Sequence, residues 1–206
     1  AEFVGHPFTA PDYKPPVAHD PSGPVLLLPG SRVKAVARIF PAVLAGFQEY
    51  RKSEPGREAV VLYPSAAVRA QLESVPIPAG VRLQQTGIPV GASAALTSSG
   101  TMSMHCALAG IPGAIAYRTD PFTYAMARWL VQVPYLGIAN ILLGEPMYPE
   151  FIQGAATPAS LAGELAACIS DPQRRGRTAV QSRSLAAMLA RPPGDNEADW
   201  LSRNLP

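Results

Sequence analysis

Short apolar runs that alternate with segments of helical spacing predict an α/β chain built on a parallel sheet with helices on both faces. Two observations carry this. Pro24–Leu28 (PVLLL), Glu58–Tyr63 (EAVVLY) and Gly113–Tyr117 (GAIAY) each hold a continuous apolar stretch of strand length, as strands buried on both faces do. A turn rich in Gly, Ser or Pro follows each one, and then apolar residues recur at helical spacing. The architecture expected is a three-layer, Rossmann-like domain with further C-terminal helices, binding its ligands at the carboxyl ends of the strands.

The 206 residues suffice for one sizeable core, and 48% hydrophobic against 16% charged residues fits a globular rather than a disordered chain. A net charge of +2 is too balanced to argue for nucleic acid. Cys106 and Cys168 lie in apolar, helix-like segments and read as small core residues of a reducing compartment. There is no zinc-ligand spacing, and neither metal nor cofactor is expected. No secretory leader is evident, and the most apolar stretch, Trp129 to Leu143, is broken by Pro134, Gly137 and Asn140, so a cytoplasmic location is expected. The opening AEFVGHP lacks an initiator Met and reads like a strand end, which suggests a piece of a longer polypeptide.

In chain order, residues 1–24 are Pro-rich and aperiodic and read as a linker; 25–172 hold the Rossmann-like domain; 173–206 hold C-terminal helices packed on or beyond it. After PVLLL, Pro29-Gly30-Ser31-Arg32 leads into a helix from Lys34 to Lys52, which Pro41 should bend or re-start. Ser65 to Val75 is a helix capped by Ser65, and Val81 to Thr86 is a third strand. The connection from Gly87 to Gly91 is too short for a crossover helix, and Ala94 to Thr97 is a fourth strand. Ser98-Ser99-Gly100-Thr101 opens the next helix. After the fifth strand, GAIAY, come a helix at Phe122 to Gln132 and a last strand at Tyr135 to Ala139, ending on Asn140. Thr157-Pro158 and Asp171-Pro172 start two more helices, and a Pro/Gly break at Pro192 to Gly194 precedes a short one holding Trp200 and Leu201.

The chemistry follows from the strand ends. Ser31, Arg32, Ser98 to Thr101, Arg118 to Asp120 and Asn140 are mostly hydrogen-bond donors with two cations, a set that suits an anionic, oxygen-rich ligand. The helix start after Ser98-Ser99-Gly100-Thr101 is a place for phosphate, although Ser and Thr before a helix are more often plain N-caps. Ser99 lacks a Gly-x-Ser-x-Gly frame, which argues against a serine hydrolase. Taken singly, each residue has a plainer role: Arg32 a surface cation, Asn140 a turn closer, His105 a partly buried polar side chain, Glu145 and Glu150 solvated charges.

Together, Leu26 to Arg32, Ser99-Gly100-Thr101, Ala116-Tyr117-Arg118 with Pro121 to Tyr124, Val133 to Leu142, and Pro149-Glu150 with Gln153 resemble the C-terminal half of the lipid-A-disaccharide synthase family. Val4-Gly5-His6-Pro7 is similar to the family's junction between halves. The match covers nearly the whole chain in order, more loosely from about Gln173. It implies the donor-binding half of a bacterial GT-B glycosyltransferase that moves diacylglucosamine from UDP to an acylated glucosamine 1-phosphate in lipid A biosynthesis. By position, Arg32, Ser99, Gly100, Thr101, Asn140 and Gln153 would bind the UDP-sugar, and no metal would be needed. The other partners implied are the acylated glucosamine phosphate lipid and an acceptor-binding domain, fused or separate, without which this chain would not turn over; nucleic acid is not among them. The location implied is cytoplasmic, peripheral on the inner membrane.

His105 stands where the family carries a Glu, and Gly87 to Gly91 is shorter than the family's loop. A neutral imidazole offers one donor and one acceptor where a carboxylate offers only acceptors. These departures motivate an alternative, a non-catalytic nucleotide-sugar-binding or assembly module of the same fold. A membrane-surface role for Arg118, Phe122, Arg128 and Trp129 is a third reading, against the plainer one of core and rim.

Overall fold

A computed structural model describes residues 6–9, 13–120, 124, 134–190 and 202. Six parallel strands form the main sheet: β2 (Val25–Leu28), β3 (Ala59–Tyr63), β4 (Val81–Gln85), β6 (Ala94–Thr97), β7 (Gly113–Tyr117) and β8 (Glu150–Ile152). Their spatial order is β4-β3-β2-β6-β7-β8, so the winding reverses between β2 and β6. In register, Leu28 faces Thr97 and Thr97 faces Ile115. β2, β3 and β6 are buried along their whole length, which is why their sequences read as unbroken apolar runs.

One sheet face is covered by α1 (Val33–Tyr50), α2 (Ala66–Glu73) and a later helix, α5 (Pro158–Ser170). The other carries α3 (Thr101–Leu108), α4 (Ile138–Leu143) and α6 (Pro172–Leu189). The alternation within β2 divides the core accordingly: Val25 and Leu27 face the α1 side, Leu26 and Leu28 the α3 side. α1 runs unbroken through Pro41, contrary to the expected re-start. Pro41 is exposed, so the carbonyl its ring deprives of a donor can turn to water. Gly46 lets α1 and α5 approach closely; a Cβ there would lie 2.5 Å from Leu161 Cβ.

The segment read as a linker holds β1 (Val17–His19), which pairs in parallel with β5 (Val90–Ala92). This two-stranded ribbon lies on the α3 face, with Val17, Val90 and Ala92 packed in the same cluster as Leu26, Leu28, Val60 and Leu62. It does what a crossover helix does elsewhere: it returns the chain to the amino edge of the sheet, where Ser93 N–H donates to Pro24 O at 3.1 Å. The short connection therefore holds a strand rather than nothing.

The strand expected at Tyr135 to Ala139 is absent. Leu136 and Gly137 give their N–H groups to the Glu150 carboxylate, α4 begins at Ile138, and the place beside β7 is taken by β8. At Gly137 the backbone passes so close to Ile115 that a Cβ would collide with it. The helix expected at Phe122 to Gln132 lies outside the described residues except Tyr124, as does the one at Trp200 and Leu201. α6 packs into the same body as the sheet: Arg174 donates to Gly113 O at 2.9 Å and to Met147 O at 3.1 Å. Among the described residues, no helix is long and apolar enough to cross a membrane.

Candidate functional site

At the carboxyl edge, where the winding reverses, a cleft of about 370 Å³ opens on the α3 face between Gly30-Ser31, Thr86 and the turn into α3. Gly30 has φ +117°, a conformation open to glycine, and turns the chain after β2 so that it meets Ser98. Gly100 is the N-cap of α3 and no side chain caps that helix. The plain capping role for these Ser and Thr residues is thus not what the structure holds: α2, α5 and α6 are capped by Ser65, Thr157 and Asp171, whereas α3, like α1 and α4, has no side-chain cap, and of its first amides Ser103 N–H donates to Gly100 O. Ser98, Gly100 and Thr101 line the cleft, with Ser99 in the same turn. Below it, the buried Thr97 Oγ1 has no hydrogen-bond partner.

His105 lies one turn into α3 and lines the cleft. The Tyr13 hydroxyl is 2.5 Å from its Nδ1, and the Phe8 ring centroid is 4.2 Å from its own. That leaves Nε2 as the ring nitrogen available to a ligand. Burial, with a smaller contribution from His6, holds the His105 pKa below the usual histidine value, so the ring is neutral at pH 7. Tyr13 has no signal in the sequence; it meets His105 only because β1 carries the N-terminal segment across the sheet face.

The remaining sequence candidates go elsewhere. Arg32 opens onto the α1 face, in a second cleft with Lys34, Arg38 and Arg118. Gln153, with φ +52°, clips the loop after β7: its Oε1 accepts from Thr119 N–H at 2.9 Å and its Nε2 donates to Thr119 O at 3.1 Å. Asn140 is fully buried inside α4. Its Nδ2 donates to Tyr148 O and to Glu150 Oε1, and its Oδ1 accepts from Tyr148 N–H, so no polar atom is left to face a pocket. Glu150, read as a solvated charge, is half-buried and holds the turn before α4.

Both cysteines are buried, and desolvation raises their thiols, Cys106 to about 12, which makes them inert packing groups. Among the described residues, no three His, Cys, Asp or Glu side chains gather as a metal site would require.

Residues 1–197 match the family described as lipid-A-disaccharide synthetase. The lipid-A-disaccharide synthase of Sodalis glossinidius (strain morsitans) is 36% identical over 166 residues, 77% of this chain and 44% of that protein. That of Syntrophotalea carbinolica is 30% identical over 213 residues, covering 92% of this chain and 54% of the relative. The chain thus spans about half the length of the curated relatives it matches. Among solved structures, the calicheamicin glycosyltransferase CalG4 superposes with a TM-score of 0.56 at 20% identity, covering 100% of this chain and 48% of that one. The glycotransferase of kitacinnamycin gives 0.55 at 18%, covering 100% and 49%. These likenesses show the fold, which is that of about one half of each of those two chains.

Proposed function

The chain belongs to the lipid-A-disaccharide synthetase family, and on that premise we propose that it is the donor-binding half of a glycosyltransferase that takes diacylglucosamine from UDP and joins it to an acylated glucosamine 1-phosphate. A second domain supplies the acceptor site, and the pair works peripherally at the cytoplasmic face of the inner membrane, where its lipid substrates reside. The observation that carries the reading is the uncapped start of α3 at the winding reversal. When the glycosidic bond to UDP breaks, negative charge grows on the leaving diphosphate. The fixed amides of Thr101 and Met102 and the positive end of α3 stabilise that charge without reorganisation, and no metal is called for. Ser99 and Thr101 add hydroxyl donors, and His105 Nε2 meets a ribose or sugar hydroxyl.

Gly100→Asp separates capping from binding. A Cβ at Gly100 has room, 3.8 Å from Ser98 Oγ, and Asp is a favoured N-cap, so the fold is kept or stabilised by roughly a few tenths of a kcal/mol. Its carboxylate occupies the amides and repels phosphate. Calorimetric titration with UDP should show binding to the native chain and a loss of at least about tenfold in the variant. Equal affinities, or no binding to the native chain at millimolar UDP, would overturn the proposal.

A second reading, a non-catalytic module of the same fold, is favoured by one observation: the position where the family carries a Glu holds a His already engaged by Tyr13. It requires that His105→Glu fail to raise transferase activity when the chain is assayed with an acceptor domain. A gain of activity would rule it out.

A further inference from the structure

We propose that Tyr13 is a positioning residue for the carboxyl-edge cleft: its hydroxyl donates to His105 Nδ1, so that Nε2 carries the ring's proton and presents the ligand with a donor of fixed sense. This role presupposes the reading of that cleft as the nucleotide-sugar site, and it specifies which ligand atoms can face His105.

Two cavities meet at one ring. The carboxyl-edge cleft lies on one side of His105, and on the other is a cavity of about 330 Å³ walled by Phe8, Tyr13, Val17, His19 and Leu108. Among the described residues, His105 is the one that lines both. Tyr13 sits on the far side and takes the Nδ1 edge. Phe8, its centroid 4.2 Å from that of the imidazole, and Tyr13, its ring 9° from parallel, hold the imidazole in this orientation. The edge turned to the cleft is therefore the Nε2 edge.

The direction of the Tyr13–His105 bond decides what that edge offers. A bare imidazole nitrogen is a better acceptor than a phenolic oxygen, whose lone pair is drawn into its ring, and the phenol is the better donor of the two. Burial, with a smaller contribution from Cys106, raises the Tyr13 pKa, so the proton stays on the hydroxyl and is there to be donated. Among the described residues that hydroxyl has no second hydrogen-bond partner, so reversing the bond would leave its proton without a protein acceptor. Tyr13 O–H thus donates, Nδ1 accepts, and the single proton of the neutral ring sits on Nε2.

Among the described residues, no carboxylate and no cationic Lys or Arg lines the cleft; its other polar side chains are the hydroxyls of Ser31, Thr86, Ser98 and Thr101, which can turn to donate or accept. His105 is the polar side chain with a set direction. Opposite it belongs an oxygen with a lone pair, in a hydroxyl, a carbonyl or a phosphate, and a protonated amine is repelled. Protonation of the ring keeps this sense, because the imidazolium retains its Nε2 proton and gains a charge that a diphosphate one helical turn away attracts. The titratable groups facing the ring are His6 and Tyr13 from the N-terminal segment, His19 from β1 and the buried Cys106 of α3, with Asp20 and Arg175 beyond His19; α6 contributes Ala186.

The test uses the whole chain. Long-range nitrogen–proton NMR of the imidazoles at about pH 8 should show His105 with Nε2 protonated and Nδ1 bare; the opposite tautomer would overturn the proposal. Tyr13→Phe keeps the aromatic ring and removes the bond, and its spectrum should show both tautomers populated. A hydrogen bond given to the neutral imidazole holds its pKa down, so in the variant His105 should bind a proton at least about threefold more tightly. Were Nδ1 the donor, the imidazolium would keep that bond, and a proton affinity unchanged or lowered in Tyr13→Phe would overturn the proposal. The sense toward ligand is read by calorimetry with UDP-N-acetylglucosamine, whose diphosphate does not titrate near neutrality. Native affinity should hold or rise from about pH 8 to about pH 5.5. A fall of about tenfold that His105→Gln does not share would mean that Nε2 accepts, and would overturn the proposal. A native chain that binds no UDP-N-acetylglucosamine at millimolar concentration while both NMR results hold would remove the nucleotide reading and leave the Tyr13–His105 pairing standing.

Discussion

Replacing Arg174 with Met should unfold this domain more readily than any surface change, because one buried guanidinium joins four parts of the chain. Arg174 is 5% exposed. Its Nε donates to Glu164 Oε1 at 2.8 Å in α5, its Nη1 to Thr178 Oγ1 at 2.5 Å within α6, and its Nη2 to Gly113 O at the start of β7 and to Met147 O before β8. Met keeps most of the apolar stem but strands the Glu164 carboxylate, only 15% exposed, and removes a donor from two carbonyls. Breaking a buried ion pair from one side costs about 3–5 kcal/mol. In a domain of this size each kcal/mol moves Tm by roughly 2–4 °C, so a fall of about 6–20 °C is expected. Thermal unfolding followed by circular dichroism, with urea midpoints as a second measure, reads it. Most of the loss is the unpaired carboxylate, so Glu164→Gln added to Arg174→Met should recover at least about 1 kcal/mol. A single variant that melts within 2 °C of the native chain, or a double variant no better than the single, would refute the assignment of Arg174 as the clamp.

Asn140→Ala strands Tyr148 N–H and O in the core and should lower stability by about 2–4 kcal/mol in urea. UDP affinity should remain within twofold if Asn140 holds α4 rather than ligand; a tenfold loss would return it to the pocket. His105 sits below its ordinary value of 6.5, so the unfolded chain takes up the proton first as pH falls. Stability is therefore complete above about pH 6.5 and declines below it, with His19, also lowered by burial, adding in the same direction. Thermal melts at pH 7.5 and 5.5 should show His105→Asn losing less stability on acidification than the native chain.

Much of the layer order was legible because it is written in continuous runs. VLLL and AVVLY are buried on both faces, and only a strand between two helix layers needs such a sequence. The Ser65 and Thr157 caps were legible for a local reason too, since a cap and its helix are adjacent in sequence. What could not be read are features made by distant partners. β1 and β5 have three residues each and acquire their meaning only by pairing with one another. Tyr135 to Ala139 is as apolar as a strand, yet the carboxylate of Glu150 claims its amides. The Tyr13–His105 contact joins residues 92 positions apart, and no local pattern reports it. The α3 start was identified as a candidate, but whether its Ser and Thr cap the helix was a question of geometry alone.

The β1–β5 ribbon also sets an order of events for the growing chain. β2, β3, α1 and α2 are contiguous and can assemble early, but Leu26, Leu28, Val60 and Leu62 on the far face are roofed only when β5 arrives to pair with β1. Until residue 92 has been made, that apolar face is exposed to other chains, and the flank of β2 stays open until β6 is complete at Thr97. Slow, non-local closure of this kind is where aggregation competes with folding. Substitutions in the ribbon should therefore reduce the yield of soluble protein before they alter anything at the carboxyl edge.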